Sequence, residues 1–168
     1  FYQSLWNGAP SVYADYDKTK QTVLSLKSYI DAQPKSIQLC HIDAVPDNFL
    51  FVTGKDGSEE VKLTDWEYAG MQDPHLDVAM FIIYAMYDRD SAEKLIDLYF
   101  SDGCDKATRL KIYCYIAVSG LVWSNWCEFK RHCGVEFGAY AQRQYDYARE
   151  YTKIFFKEYR EAFGRDYV

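Results

Sequence analysis

Between Phe49 and Thr64 two short apolar runs flank a G-K-D-G turn at Gly54–Gly57. That pattern closes most readily as a β-hairpin, with strands over Phe49–Thr53 and Val61–Thr64. This hairpin is the tightest constraint on the fold, because polar groups stand at both of its ends. The segment H-I-D-A-V-P-D-N, His41–Asn48, leads into it, and Asp65 leaves it.

The rest of the chain reads as helix. Tyr16–Ala32 carries Val23, Leu24, Leu26 and Ile30 on one apolar face, with Pro34 beyond its end. Ser36–Cys40 is a short strand into the His41 loop. Pro74, a good first-turn residue, opens a helix to about Tyr87. Asp90–Phe100 is another, closed by Gly103. Asp105 to about His132 is a long one, interrupted at Ser119-Gly120. After Gly134, Val135 to about Phe163 is the last. The expected fold is α+β, mainly α: a small β-hairpin buried among helices, in one domain over residues 1–168.

Composition narrows the function classes. The 168 residues suffice for one real core, and 18% of them are aromatic. The net charge is −6 with no basic run, which argues against nucleic acid and anionic membranes and slightly favours a cationic ligand. The longest apolar run, within Val78–Tyr87, is too short to span a bilayer, and no signal peptide opens the chain. Five cysteines (Cys40, Cys104, Cys114, Cys127, Cys133) with no C-x-x-C read as reduced thiols of a cytoplasmic protein. His41, His75 and His132 lack metal-ligand spacing.

The chemistry concentrates between His41 and Asp77. A lone H-x-D is weak. Here Asp43 is followed by Asn48, the hairpin and then Asp65. Phosphoryl transfer asks for such a set: a carboxylate to hold the attacking hydroxyl, and an amide and a carboxylate to hold magnesium. Asp43 is the expected base or orienter, and Asn48 and Asp65 the expected Mg²⁺ ligands. His41 reads as loop scaffold. Asp77 reads either as a brace for the loop backbone or as an ordinary first-turn acid favoured by the helix dipole. Trp123 and Trp126, at i and i+3, share a helix face. An arbitrary W-x-x-W is ordinarily core, but indole faces also suit a quaternary ammonium.

These motifs carry a family likeness. H-I-D-A-V-P-D-N with a later Asp and D-P-H-L-D resembles the aminoglycoside-phosphotransferase-like group, which shares the protein-kinase-like fold. D-W-E-Y at Asp65–Tyr68, G-L-V-W-S-N-W at Gly120–Trp126 and G-V-E-F-G at Gly134–Gly138 resemble the choline/ethanolamine kinase family, in particular its bacterial choline kinases. The likeness covers Leu39 to about Tyr151. It implies ATP and Mg²⁺, a choline hydroxyl as acceptor, phosphocholine as product, and a cage of Tyr68, Trp123 and Trp126, with Glu67 either adding negative charge near the cation or bracing the loop. Phe137, Tyr140 and Tyr145 are further aromatic candidates.

One departure stands out. There is no G-x-G-x-x-G, and the residues before His41 read as polar helix rather than as a sheet. The likeness therefore implies the C-terminal lobe alone, with its N-terminal nucleotide lobe absent and little activity by itself. An ethanolamine or aminoglycoside kinase of the same fold, or a non-catalytic choline-binding or pseudokinase fragment, stays open.

Overall fold

The computed structural model describes residues 1–6 and 8–167. Its α+β architecture is mainly helical. The described residues form six α-helices and two separate antiparallel strand pairs: α1 (Tyr16–Ser25), α2 (Lys27–Ala32), β1 (Gln38–Cys40), β2 (Phe49–Thr53), β3 (Glu59–Leu63), β4 (Gly70–Gln72), α3 (His75–Tyr84), α4 (Arg89–Tyr99), α5 (Lys106–His132) and α6 (Ala139–Phe163).

The core lies where α3 and α6 pack on α5. Ile82, Ile83, Ile112, Ile116, Tyr147 and Phe155 are fully buried there. Each such side chain contributes about 1.5–3 kcal/mol by leaving water. A second cluster joins Trp6, Tyr16 and Val23 to Leu121, Tyr145 and Ala148. The carboxylates of Asp88 and Asp105 cap α4 and α5, accepting from the N–H groups of Ser91 (2.9 Å) and Thr108 (3.0 Å). A cap of this kind stabilises a helix by about 1 kcal/mol.

Several sequence expectations change. The first helix breaks at Leu26, so that α1 turns Val23 into the second cluster while Leu26 and Tyr29 enter the main core. Leu24, expected on the apolar face, is exposed. The long helix α5 runs unbroken through Ser119-Gly120. Gly120 is there for closeness: a Cβ on it would meet the Gln144 carbonyl at 2.7 Å and Tyr147 Cβ at 2.8 Å, both on α6. The last helix starts at Ala139, because Gly134 (φ 83°) and Gly138 (φ 52°) turn the chain between α5 and α6.

The strands differ too. β4 pairs with β1 in the register Gln38↔Gln72 to Cys40↔Gly70. Its three residues, G-M-Q, are too few to show alternation. In the β2–β3 hairpin, Phe49↔Leu63 is the inner pair and Thr53↔Glu59 the outer one. This hairpin is not buried. Phe49 packs edge-on against Phe81 of α3 at 5.4 Å, but Leu50, Phe51, Val52 and Val61 are exposed. Two strands have two faces, and the helices reach only the end next to Phe49.

Candidate active site

The loop after β1 is held by an acid from α3. The backbone N–H groups of His41 and Ile42 donate to the two carboxylate oxygens of Asp77, each at 2.8 Å. Ile42 has φ 68°, a left-handed conformation that costs a β-branched residue about 1–2 kcal/mol. Hydrogen bonds to a charged acceptor are worth about 1.5–3 kcal/mol each, so two of them outweigh that strain. His41 is buried, and its Nε2 lies 2.8 Å from the Thr64 carbonyl, which ties the loop to the base of the hairpin where β3 ends.

Beyond Ile42 the chain presents Asp43. Its backbone carbonyl accepts from Val45 N (2.7 Å) and from Asn48 Nδ2 (3.0 Å). That use of the Asn48 amide nitrogen leaves Oδ1 for another partner. The Asn48 carbonyl in turn accepts from Thr64 N (3.0 Å) and Thr64 Oγ1 (3.2 Å). Asn48 is thereby held across the hairpin base from Thr64, the residue before Asp65. Asp65 is itself left-handed, at φ 64°. Trp66 steadies this turn: its indole Nε1 donates to the Leu63 carbonyl at 2.9 Å, and its ring lies 4.8 Å from His41. Nothing in the sequence reading singled out Trp66.

The donor chemistry suits a hard cation. Among the described residues no three His, Cys, Asp or Glu side chains group closely enough for a metal cage. The pair on offer is one amide oxygen and one carboxylate. That fits magnesium, which keeps water and phosphate in most of its shell.

A row of rings lies beside the loop. Tyr84, at the end of α3, is 5.6 Å from Trp123, which is 5.5 Å from Trp126, which is 4.9 Å from Phe137. Tyr140 follows at 6.3 Å. Burial first, then the Asp43 carboxylate, push the Tyr84 phenol above its ordinary range. Burial, Cys127 and then Asp43 do the same to Tyr140. The Asp43 charge thus reaches both phenols. The Tyr84 hydroxyl and the Trp123 indole N–H are both buried and make no hydrogen bond of ordinary geometry. Tyr84 was missed in the sequence because only the packing of α3 on α5 brings it to Trp123.

Other candidates fall elsewhere. Tyr68 and Glu67 are exposed on the turn after Asp65, and Tyr68 makes no ring contact with the Trp123–Trp126 pair. Tyr145 is a core residue, stacked on Tyr13 at 3.7 Å and bonded through its hydroxyl to Asp15. A cleft of about 350 Å³ between α1 and α6, and an apolar one of about 330 Å³ between α1 and α5, share no residue with this site.

The family model for choline/ethanolamine kinase matches residues 3–102. The chain belongs to the choline/ethanolamine kinase family. Among this family's relatives, protein LicA of Haemophilus influenzae is 30% identical over 121 residues, covering 65% of this chain and 41% of that protein. The crystal structure of choline kinase LicA from Streptococcus pneumoniae superposes with a TM-score of 0.70 at 28% identity, covering 91% of this chain and 52% of that one. A structure of LicA in complex with AMP matches with a TM-score of 0.71 at 28% identity, covering 92% and 52%. The chain thus spans about half the length of the relatives it matches. It shares their fold, and no helix among its described residues is long and apolar enough to cross a membrane.

Proposed function

We propose that this chain, residues 1–168, is the catalytic and amine-binding lobe of an ATP-dependent choline kinase, completed by an N-terminal lobe that supplies the rest of the nucleotide site. The observation that carries the reading is the ring row Tyr84–Trp123–Trp126–Phe137 beside Asp43. A trimethylammonium head has no N–H to donate and is held by ring faces. A hydroxyl two carbons away from such a head could then lie against Asp43. Tyr68 and Glu67 remain outer contacts, reached by a ligand lying across the Asp65 turn.

In the proposed reaction the choline hydroxyl oxygen bonds to the γ-phosphorus of ATP as the bond to the β–γ bridging oxygen breaks. The hydroxyl proton passes to Asp43, ADP leaves, and phosphocholine forms. The carbonyl bonds from Val45 and Asn48 to Asp43 fix the backbone from which the carboxylate projects. Asn48 Oδ1 and the Asp65 carboxylate would hold Mg²⁺, which when bound offsets the negative charge of the phosphates. His41 and Asp77 keep the loop in its strained conformation. The AMP complex of LicA supports an adenine nucleotide as the phosphoryl donor. All five cysteines are free, which fits a reducing compartment, and the cytoplasm is the location we propose.

The test is ADP release by the chain joined to its upstream region, with choline, ethanolamine and an aminoglycoside as acceptors. The reading expects choline to be preferred and the 168-residue chain alone to turn over little. A preference for ethanolamine or the aminoglycoside would replace choline as the substrate.

A further inference from the structure

A buried ion pair lies outside the site described above, and nothing in the proposed chemistry uses it. Lys111 of α5 and Asp73, between β4 and α3, have side chains only 2% and 4% exposed. Lys111 Nζ donates to Asp73 Oδ2 at 2.6 Å and to the Pro34 carbonyl at 2.8 Å. Tyr115, one turn further along α5, donates its hydroxyl to the same Asp73 oxygen at 3.0 Å. The other oxygen, Oδ1, accepts the backbone N–H of His75 at 3.2 Å. The His75 ring nitrogen Nδ1 lies 3.3 Å from Oδ1 without a hydrogen bond.

The three anchor points matter more than the pair itself. Pro34 is on the segment that enters β1, Asp73 is on the segment that leaves β4, and Lys111 and Tyr115 belong to the rigid central helix. Gln38↔Gln72 is the strand pair between the first two anchors. One ammonium group therefore ties both strands of that pair, at their Gln38↔Gln72 end, to α5. Asp73 also sets the start of α3, its backbone carbonyl accepting from Leu76 N at 2.9 Å. One helical turn later on α3 stands Asp77, whose carboxylate holds the N–H groups of His41 and Ile42. The path from Lys111 to the loop is thus short and made of fixed bonds.

A buried ion pair is weak support for stability, since an apolar pair of like volume often serves as well. What it adds is direction, because Nζ must point at two acceptors at once. We infer that Lys111 is a positioning residue: through Asp73 and the start of α3 it sets where Asp77 sits, and so holds the His41–Asp43 loop in its left-handed turn. The consequence for phosphoryl transfer rests on the reading of Asp43 given above. The consequence for the loop does not.

Amide hydrogen exchange on this chain tests the loop directly. In Lys111→Met, exchange at the His41 and Ile42 amides should rise at least about tenfold, with core amides of α5 and α6 such as Ile116 and Ala148 unchanged. Loop amides as protected as in the wild type would overturn the inference. Lys111→Met can fail to fold, since it strands the Asp73 carboxylate. The double variant Lys111→Met/Asp73→Leu removes both charges. It should fold, yet still show fast exchange at His41 and Ile42. Protected loop amides there would equally overturn the inference. A second arm uses the chain joined to its upstream region: in the double variant kcat should fall with the KM for choline unchanged. A parallel loss of both would mark Lys111 as a merely structural residue. If the wild type turns over no amine at all, the proposed function fails while the exchange result stands by itself.

Discussion

Asp77 Oδ1 accepts the N–H of Ile42 at 2.8 Å, at the one point where the loop before Asp43 turns left-handed. The same carboxylate takes the His41 N–H through Oδ2. A single α3 side chain therefore stabilises a conformation that Ile42 disfavours. Asp77→Ala should lower the folding free energy by about 3 kcal/mol, from two charge-assisted bonds at the lower end of their range. Urea denaturation checks it, and a loss under about 0.5 kcal/mol would show that the loop is held by other means.

Gly120 offers a test of the helix crossing. Its missing Cβ makes room for the α6 backbone at Gln144, and backbone cannot rotate away as a side chain can. Gly120→Ala adds helix propensity worth about 1 kcal/mol, yet should destabilise the chain by about 1–3 kcal/mol through overpacking. A rise in Tm would mean that α5 and α6 stand further apart than described.

Acid should weaken the fold in two steps. Burial first, then the Lys111 charge, hold the His75 imidazole below its ordinary pKa. The unfolded chain then binds the proton more readily than the folded one, so stability falls as pH drops from about 6.5 towards the folded value. Asp73 acts lower. Burial pushes its carboxyl up, but the Lys111 bond, the His75 N–H, the Lys111 charge and Tyr115 outweigh it and hold the carboxyl below its usual value. The stability it contributes is present above about pH 4 and is lost as pH falls through its folded value. Urea midpoints from pH 7.5 to 5 should slope in the wild type and flatten in His75→Gln. An unchanged slope would place the titrating group elsewhere.

The rings beside Asp43 should discriminate between amines. Trp123→Ala should weaken choline binding by about tenfold or more and ethanolamine much less, since only choline depends wholly on ring faces. Titration calorimetry with both amines measures the difference, and equal losses would count against a cage.

How much of this was legible in the sequence depended on distance along the chain. Asp43, Asn48 and Asp65 lie around one hairpin, so spacing and turn chemistry alone bring them close. Trp123 and Trp126 share a helix face at any packing. Tyr84 could not be found that way, because its meeting with Trp123 depends on how α3 crosses α5. Lys111 and Asp73 are a similar case: they stand 38 residues apart, and a lysine on α5 reads as surface until the packing buries it. Gly120 misled for a related reason, since a glycine that permits close approach looks, in sequence, like one that breaks a helix.

The central claim is that Asp43 takes the proton of the attacking hydroxyl. The direct measurement is choline-dependent ADP release by the chain joined to its upstream region, with Asp43→Asn set beside the wild type and choline affinity followed by calorimetry. Turnover should fall at least about a hundredfold, as expected for loss of a general base, with affinity for choline nearly unchanged. Turnover close to the wild-type rate would contradict the account and leave Asp43 as a loop residue only.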